Sequence, residues 1–140
     1  MNEPSVVGIT PSIEDYCRLR IAAGLSPKSV AAAEAGLPNT LFGVSVVVGD
    51  ETVGMGRIIG DRGTAYQIVD IAIDPAFQGR GLGKIIMTHL TDWLHDNAPE
   101  TAYVSLIADG PAHRLYSQFG FEPTAPASIG MAMLVPTKRR

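Results

Sequence analysis

Apolar and polar positions along the chain switch between two periods. SVVGIT (residues 5–10) is a short β-branched run and predicts a strand. After Pro11, the positions Ile13, Tyr16, Cys17 and Arg20–Ile21 recur at helical intervals, with Ser12 and Asp15 as a capping signal and Gly24 as the stop. SPKSVAAAEAG (residues 26–36) predicts a second short helix, with Ser26 as cap, Pro27 as first residue and Gly36 as stop. Residues 41–48 predict a strand, GDE (49–51) a hairpin turn, and residues 52–61 the returning strand, weakened by Gly54 and Gly56. These two glycines allow either a close approach of the sheet to another element or a β-bulge. AYQIVDIAID (residues 65–74) predicts a fourth strand, apolar on both faces apart from Asp70 and so covered on both sides.

A helix follows, with the stripe Leu82, Ile85, Ile86, His89, Leu90, Trp93 and Leu94. AYVSLIA (residues 102–108) predicts a fifth strand and DGPAHRLYSQFG (109–120) a short helix, with Asp109 or Gly110 near its cap. IGMAMLV (residues 129–135) predicts a closing strand, which either completes the sheet or pairs across a dimer. An antiparallel meander leading into a strand–helix–strand unit predicts a mixed α/β sheet.

The stretch DPAFQGRGLGKIIM carries the most specific chemistry. Gly79, Gly81 and Gly83 strip side chains from one bend at the start of a helix, so several backbone N–H groups can turn toward one point beside the positive end of the helix dipole. Arg80 and Lys84 supplement that anion site with charge. The plain structural reading is a tight strand-to-helix turn. A Walker loop does not fit, because Ile85 follows Lys84 and position 78 is not glycine. A dinucleotide fingerprint beginning at Gly79 does not fit either, because Lys84 stands where its third glycine belongs.

QGRGLG matches Gln/Arg-x-x-Gly-x-Gly/Ala through Gln78, Gly81 and Gly83, directly after a strand that ends in AIDP. Further on, ADGPAHRLYSQFGFEP matches Asn-x-x-Ala-x-x-Leu-Tyr-x-x-x-Gly-Phe through Ala112, Leu115, Tyr116, Gly120 and Phe121, with Asp109 where asparagine is usual. In these two motifs the chain resembles the GNAT superfamily of acyl-CoA-dependent N-acetyltransferases, most clearly over residues 65–121. The resemblance implies one GNAT-like domain over residues 1–140, a mixed sheet of six to seven strands with about four helices, and splayed fourth and fifth strands. It further implies acetyl-CoA as cosubstrate. The backbone at Ile71, Ala72 and Ile73 would pair with the pantetheine arm. Gln78, Gly79, Arg80, Gly81, Leu82 and Gly83, assisted by Lys84, would hold the pyrophosphate, and Asp109 and Tyr116 would line the coenzyme.

The implied reaction is attack of a primary amine on a thioester in a ternary complex. An alkyl amine of pKa about 10.4 must lose a proton first, and a thiolate of pKa about 8.5 leaves more easily if protonated. Tyr116, on the family's Leu-Tyr position, is the candidate acid; the bland alternative is a packed aromatic that only bonds the coenzyme. Several relatives carry Glu or His on the fourth strand where this chain has Val69 and Gln67, neither of which is a base. Asp70 is the nearest ionisable group. A carboxylate in an apolar strand either faces the acceptor and takes or orients its amine, or bonds neighbouring groups. His113, three residues before Tyr116, is a second option for the base.

Composition narrows the partners. The chain has 140 residues, 46% apolar and 18% charged, with a net charge of −3, which argues against nucleic acid; the basic tail Lys138, Arg139, Arg140 reads as a solvated terminus. One cysteine, Cys17, excludes an internal disulfide, and His89, His95 and His113 share no face that would hold zinc, so no metal is expected. Without an apolar run of membrane length or a secretory start, a cytoplasmic protein without membrane contact is expected. The acceptor is expected to be a small amine (polyamine, aralkylamine or amino sugar), contacted by residues 13–40, where Glu14 and Asp15 could draw a cation. The alternatives are a protein lysine or N-terminal acetyltransferase and a non-catalytic acyl-CoA sensor; a homodimer is a further possibility.

Overall fold

Five strands lie in the sheet in chain order: β1 (Ser5–Val7), β2 (Phe42–Val48), β3 (Glu51–Gly60), β4 (Ala65–Ile73) and β5 (Tyr103–Ser105). The computed structural model describes residues 3–136. The first four strands pair antiparallel, and β5 returns parallel to β4 after the crossover helix α3 (Leu82–Asn97). Helices α1 (Ile13–Ala22) and α2 (Val30–Gly36) form the other layer, and the short α4 (His113–Tyr116), flanked by single 3-10 turns, follows β5. No helix among the described residues is long and apolar enough to cross a membrane.

Two apolar clusters bind these layers to the sheet. Leu82, Ile86, Met87, Leu90 and Leu94 of α3 pack on Val44, Val46, Ile58, Tyr66 and Ile68. Burying one such side chain contributes about 1.5–3 kcal/mol. Tyr16, Leu19, Ala33 and Leu37 pack on Met55 and Ala72 from the opposite side. Gly56 is where α3 comes closest: a Cβ there would lie 2.7 Å from both Ile86 Cγ2 and Ile71 Cδ1. Close approach, one of the two readings of this glycine, is thus met. Trp93 stands partly buried, stacked on Phe42 at 5.7 Å between ring centroids.

A bulge in β4 decides where the site lies. Met55 pairs with Ala72 and Arg57 with Val69, so two steps along β3 face three along β4. Asp70 occupies the extra position in the left-handed region at φ 60, which Asp tolerates better than most side chains. The bulge changes the phase of the strand. Tyr66 and Ile68 before it, and Ile71 and Ile73 after it, all pack with the α3 cluster, while Asp70 and Ala72 are left for the α1 side.

Three expectations are corrected. The second helix is capped by Ser29, whose side chain accepts from Ala32 N, and begins at Val30 rather than at Pro27. Among the described residues the sheet has five strands, not six to seven. Residues 129–135 form no strand: Ile129, Met131, Met133, Leu134 and Val135 are exposed, Met131 and Met133 by 86% and 88%. An apolar alternation records an affinity for sheet but does not supply a neighbouring edge, and none pairs with this segment. The basic tail at Lys138, Arg139 and Arg140 lies outside the described residues.

Candidate acetyl-transfer site

β4 and β5 pair only at Ala65–Tyr103, Tyr66–Val104 and Gln67–Ser105. Beyond Gln67, β4 continues to Ile73 with β3 on one side only. The outer edge of its second half, from Val69 to Ile73, therefore has no strand partner among the described residues and can pair with an extended ligand. A cavity of about 530 Å³ opens at this gap, between Ile68, Val69 and Ile71 of β4, Leu106 and Ile107 after β5, and Ala112 and Tyr116.

The glycine loop closes the end of β4. Asp74 accepts from Ala76 N at 2.9 Å and fixes the turn Pro75–Phe77, and Gln78 Nε2 donates to Ile73 O at 3.0 Å. Gly79 and Gly81 take φ of 78 and 77, a region closed to most side chains. Gly81 is the N-cap of α3 and offers no side-chain acceptor, so the first N–H groups of a 16-residue helix stay available to an outside anion. Arg80 lies over the Phe77 ring at 5.1 Å and donates to Ala76 O at 3.4 Å. Lys84 is exposed on the first turn, while the Leu82 side chain is buried in the core and leaves only its backbone to the loop. Gly83 sits where a Cβ would come 3.1 Å from Leu115 Cδ2, so α4 packs closely against the start of α3.

Asp70 is 6% exposed and fully engaged. Arg57 Nε donates to Oδ2 at 2.8 Å, and Arg20 Nη1 and Tyr16 Oη donate to Oδ1 at 2.5 and 3.1 Å. Arg57 also donates to Thr40 Oγ1 at 2.7 Å and lies over the Tyr16 ring at 5.6 Å. Burial, and then the Asp70 charge, push the Tyr16 phenol above its ordinary value.

Tyr116 is 8% exposed and lines the same cavity. Burial raises its pKa above 10.0, and the negative charge of Asp109 raises it further, so the phenol holds its proton throughout the neutral range. Asp109 also lines the cavity. His113 is exposed, with Nδ1 3.2 Å from Gly110 O, and is not among the lining residues.

The family model for the Acetyltransferase (GNAT) family matches residues 14–121, from α1 through the segment after α4. The chain belongs to the GNAT family. A Staphylococcus aureus protein of unknown function, described as a probable acetyltransferase, has the same fold at a TM-score of 0.92 and 50% identity, covering 95% of this chain and 100% of that one. An uncharacterised Mycobacterium leprae protein is 32% identical over 130 residues, 86% of this chain and 35% of its own length. The chloroplastic GCN5-related N-acetyltransferase 2 of Arabidopsis thaliana is 33% identical over 79 residues, 56% of this chain and 30% of its own length. The chain thus spans about a third of the length of these two curated relatives.

Within this GNAT domain the predicted residues fall into two groups. Ile71, Ala72 and Ile73 lie on the open edge, and residues 78–84 form the loop that meets it. Tyr116, Asp109 and Asp70 line one cavity beside that edge. His113, Glu14 and Asp15 do not line it; Asp15 instead pairs with Arg18 at 3.1 Å. Sequence reasoning passed over Tyr16, Arg20, Lys28 and Arg57, all of which do. The sequence carries a signal for three of them: Tyr16 and Arg20 fall on the helical stripe of α1, and Arg57 interrupts the apolar run of β3.

Proposed function

We propose that this GNAT domain moves an acetyl group from acetyl-CoA to the primary amine of a small molecule, by direct attack within a ternary complex. The observation that carries the reading is the juxtaposition of the unpaired second half of β4, the glycine loop at its end and Tyr116 on the shared cavity. The loop and α3 N-terminus hold the diphosphate, with Arg80 and Lys84 adding charge. The free edge of β4 pairs with the pantetheine amides, and one of its N–H groups stabilises the thioester oxygen as charge develops there. The amine nitrogen forms the new C–N bond as the C–S bond breaks, and Tyr116 gives its proton to the departing sulfur.

Asp70 is reassigned in this reading. With Arg20, Arg57 and Tyr16 on its oxygens, it positions those side chains and does not take the amine proton. That proton leaves to water in the open cavity, which then reprotonates Tyr116.

A second copy of the chain belongs to the reading as a partner. Ile129, Met131, Met133, Leu134 and Val135 expose their apolar side chains, and these are what a second copy would cover. Light scattering on the eluting protein should give the mass of a dimer; a monomer at micromolar concentration would remove this part.

The test of the transfer reading is incubation with acetyl-CoA and a panel of small amines, following free thiol. Amine-dependent thiol release supports the transferase. Tight coenzyme binding with no turnover on a broad panel supports a sensor instead.

A further inference from the structure

We infer that the amine accepted at this cavity also carries an oxyanion, a carboxylate or a phosphate, seated on Arg57, Arg20 and Lys28; the inference rests on the acetyl-transfer reading and narrows its substrate class. The end of the cavity formed by α1, the segment after it and β3 presents these three cations, with Asp70 as the one carboxylate among its lining residues there. Asp109, the other lining carboxylate, belongs to the segment before α4 and is close enough to Tyr116 for its charge to raise that phenol's pKa. A carboxylate shared by two guanidinium groups leaves one positive charge uncompensated.

The hydrogen bonds show where that charge is available. Arg20 is held fast: Nε donates to Ser26 O at 2.8 Å, Nη2 to Ser26 Oγ at 3.0 Å, and Nη1 to Asp70. Arg57 spends Nε on Asp70 and Nη1 on Thr40. Among the described residues its Nη2 has no hydrogen-bond partner, although the side chain is only 9% exposed. No buried side-chain nitrogen or oxygen among those residues lacks a partner, so Nη2 is not sealed in the core, and the Arg57 side chain lines the cavity. A guanidinium edge that is fixed, mostly desolvated and unspent suits a planar or tetrahedral oxyanion. Lys28, exposed at the rim, adds a mobile charge to the same end.

The backbone is committed to this arrangement. Asp70 reaches the two arginines only because the β4 bulge turns it toward α1, in a φ of 60 that is costly for a residue with a Cβ. Arg20 links α1 to the sheet through Asp70, and Arg57 on β3 adds a second cation to the cavity wall. The arrangement also disfavours polyamines, which would bring further positive charge to a site already in excess. An amine with an oxyanion at one end would place the anion at Arg57 and its nitrogen toward Tyr116, within a volume suited to a small metabolite.

The experiment uses matched pairs of amines with the intact protein and saturating acetyl-CoA: α-amino acids against their carboxamides, and O-phosphoethanolamine against ethanolamine, with spermidine as the cationic control. The expected result is a kcat/KM at least ten-fold higher for the anionic member of one pair, and that pair identifies the anion. Lys28→Gln and Arg57→Lys should each reduce the ratio within that pair at least five-fold, mainly through KM. Thermal melting checks the fold of each variant, and exposed Lys28 supplies the variant least dependent on it. Should no amine turn over, N-acetylated forms of the same compounds are titrated calorimetrically into the coenzyme-saturated protein, where the anionic ones should bind and Lys28→Gln should weaken them. Preference for spermidine or the neutral members, an unchanged ratio in both variants, or no anion-dependent binding would overturn the inference while leaving acetyl transfer intact. Failure of coenzyme A itself to bind would instead overturn the transfer reading and the inference with it.

Discussion

Arg57 Nε and Asp70 Oδ2 lie 2.8 Å apart, both side chains nearly withdrawn from water, with the carboxylate raised on a left-handed bulge residue. Arg20 takes the other oxygen, so neither charge of this group can be removed alone without exposing its partners. Asp70→Asn should therefore lower the unfolding free energy by about 3–5 kcal/mol, the cost typical of breaking a buried ion pair from one side. Urea unfolding measures this. In the residual activity of that variant, the pH dependence should keep the wild-type shape; a flattened profile would return the base role to Asp70.

Tyr116→Phe should lower kcat about 10²-fold or more, as expected for loss of general acid help, while coenzyme affinity changes little. The same residue links stability to alkaline pH. Its folded pKa is raised by burial and then by Asp109, so the fold favours the neutral phenol. That contribution is fully present below about pH 10, the ordinary value, and is lost as pH rises through the higher folded value. Unfolding followed between pH 9 and 11 should show a shallower loss in Tyr116→Phe than in the wild type.

Two glycines should separate binding from stability. Gly81→Ala puts a side chain at φ 77 in the anion loop, away from any neighbour, and should weaken coenzyme A binding about ten-fold or more with a modest stability cost of about 1–2 kcal/mol. Gly56→Ala drives a methyl to 2.7 Å from Ile71 and Ile86 and should cost about 1–3 kcal/mol by overpacking. Calorimetry with coenzyme A and denaturant melts, run on both variants, give the two readouts.

Asp61 fixes the β3–β4 connection by accepting from Gly63 N and Thr64 N at 2.8 Å, from Ala65 N at 3.1 Å and from the Thr64 hydroxyl at 2.6 Å. The Thr64 hydroxyl first, then these backbone donors, hold its carboxyl well below the usual range. The depressed folded value means a contribution present above about pH 3.9 and lost as pH falls toward the folded value. Asp61→Ala should lower the melting temperature at pH 7 and narrow its gap to the wild type in strong acid.

Much of this is legible in the amino-acid sequence. The 3.6-residue stripe marks α3, and apolar runs bounded by turn residues mark β2 to β4 within a residue or two. The glycine loop was visible because its backbone demands leave a composition signature at Gly79 and Gly81. The arginine pair was not, because it depends on a bulge: counting in twos along β4 gives no notice that Asp70 leaves register and meets Arg57 across the sheet and Arg20 from α1. The missing final strand has the opposite cause, since residues 129–135 carry the pattern of a strand but no paired edge.

The most direct measurement is a calorimetric titration of the folded protein with coenzyme A. Saturable association at micromolar concentrations, weakened by Gly81→Ala, is the predicted result. No heat of binding up to millimolar coenzyme would contradict the assignment of the β4 edge and the loop at residues 78–83 as its seat.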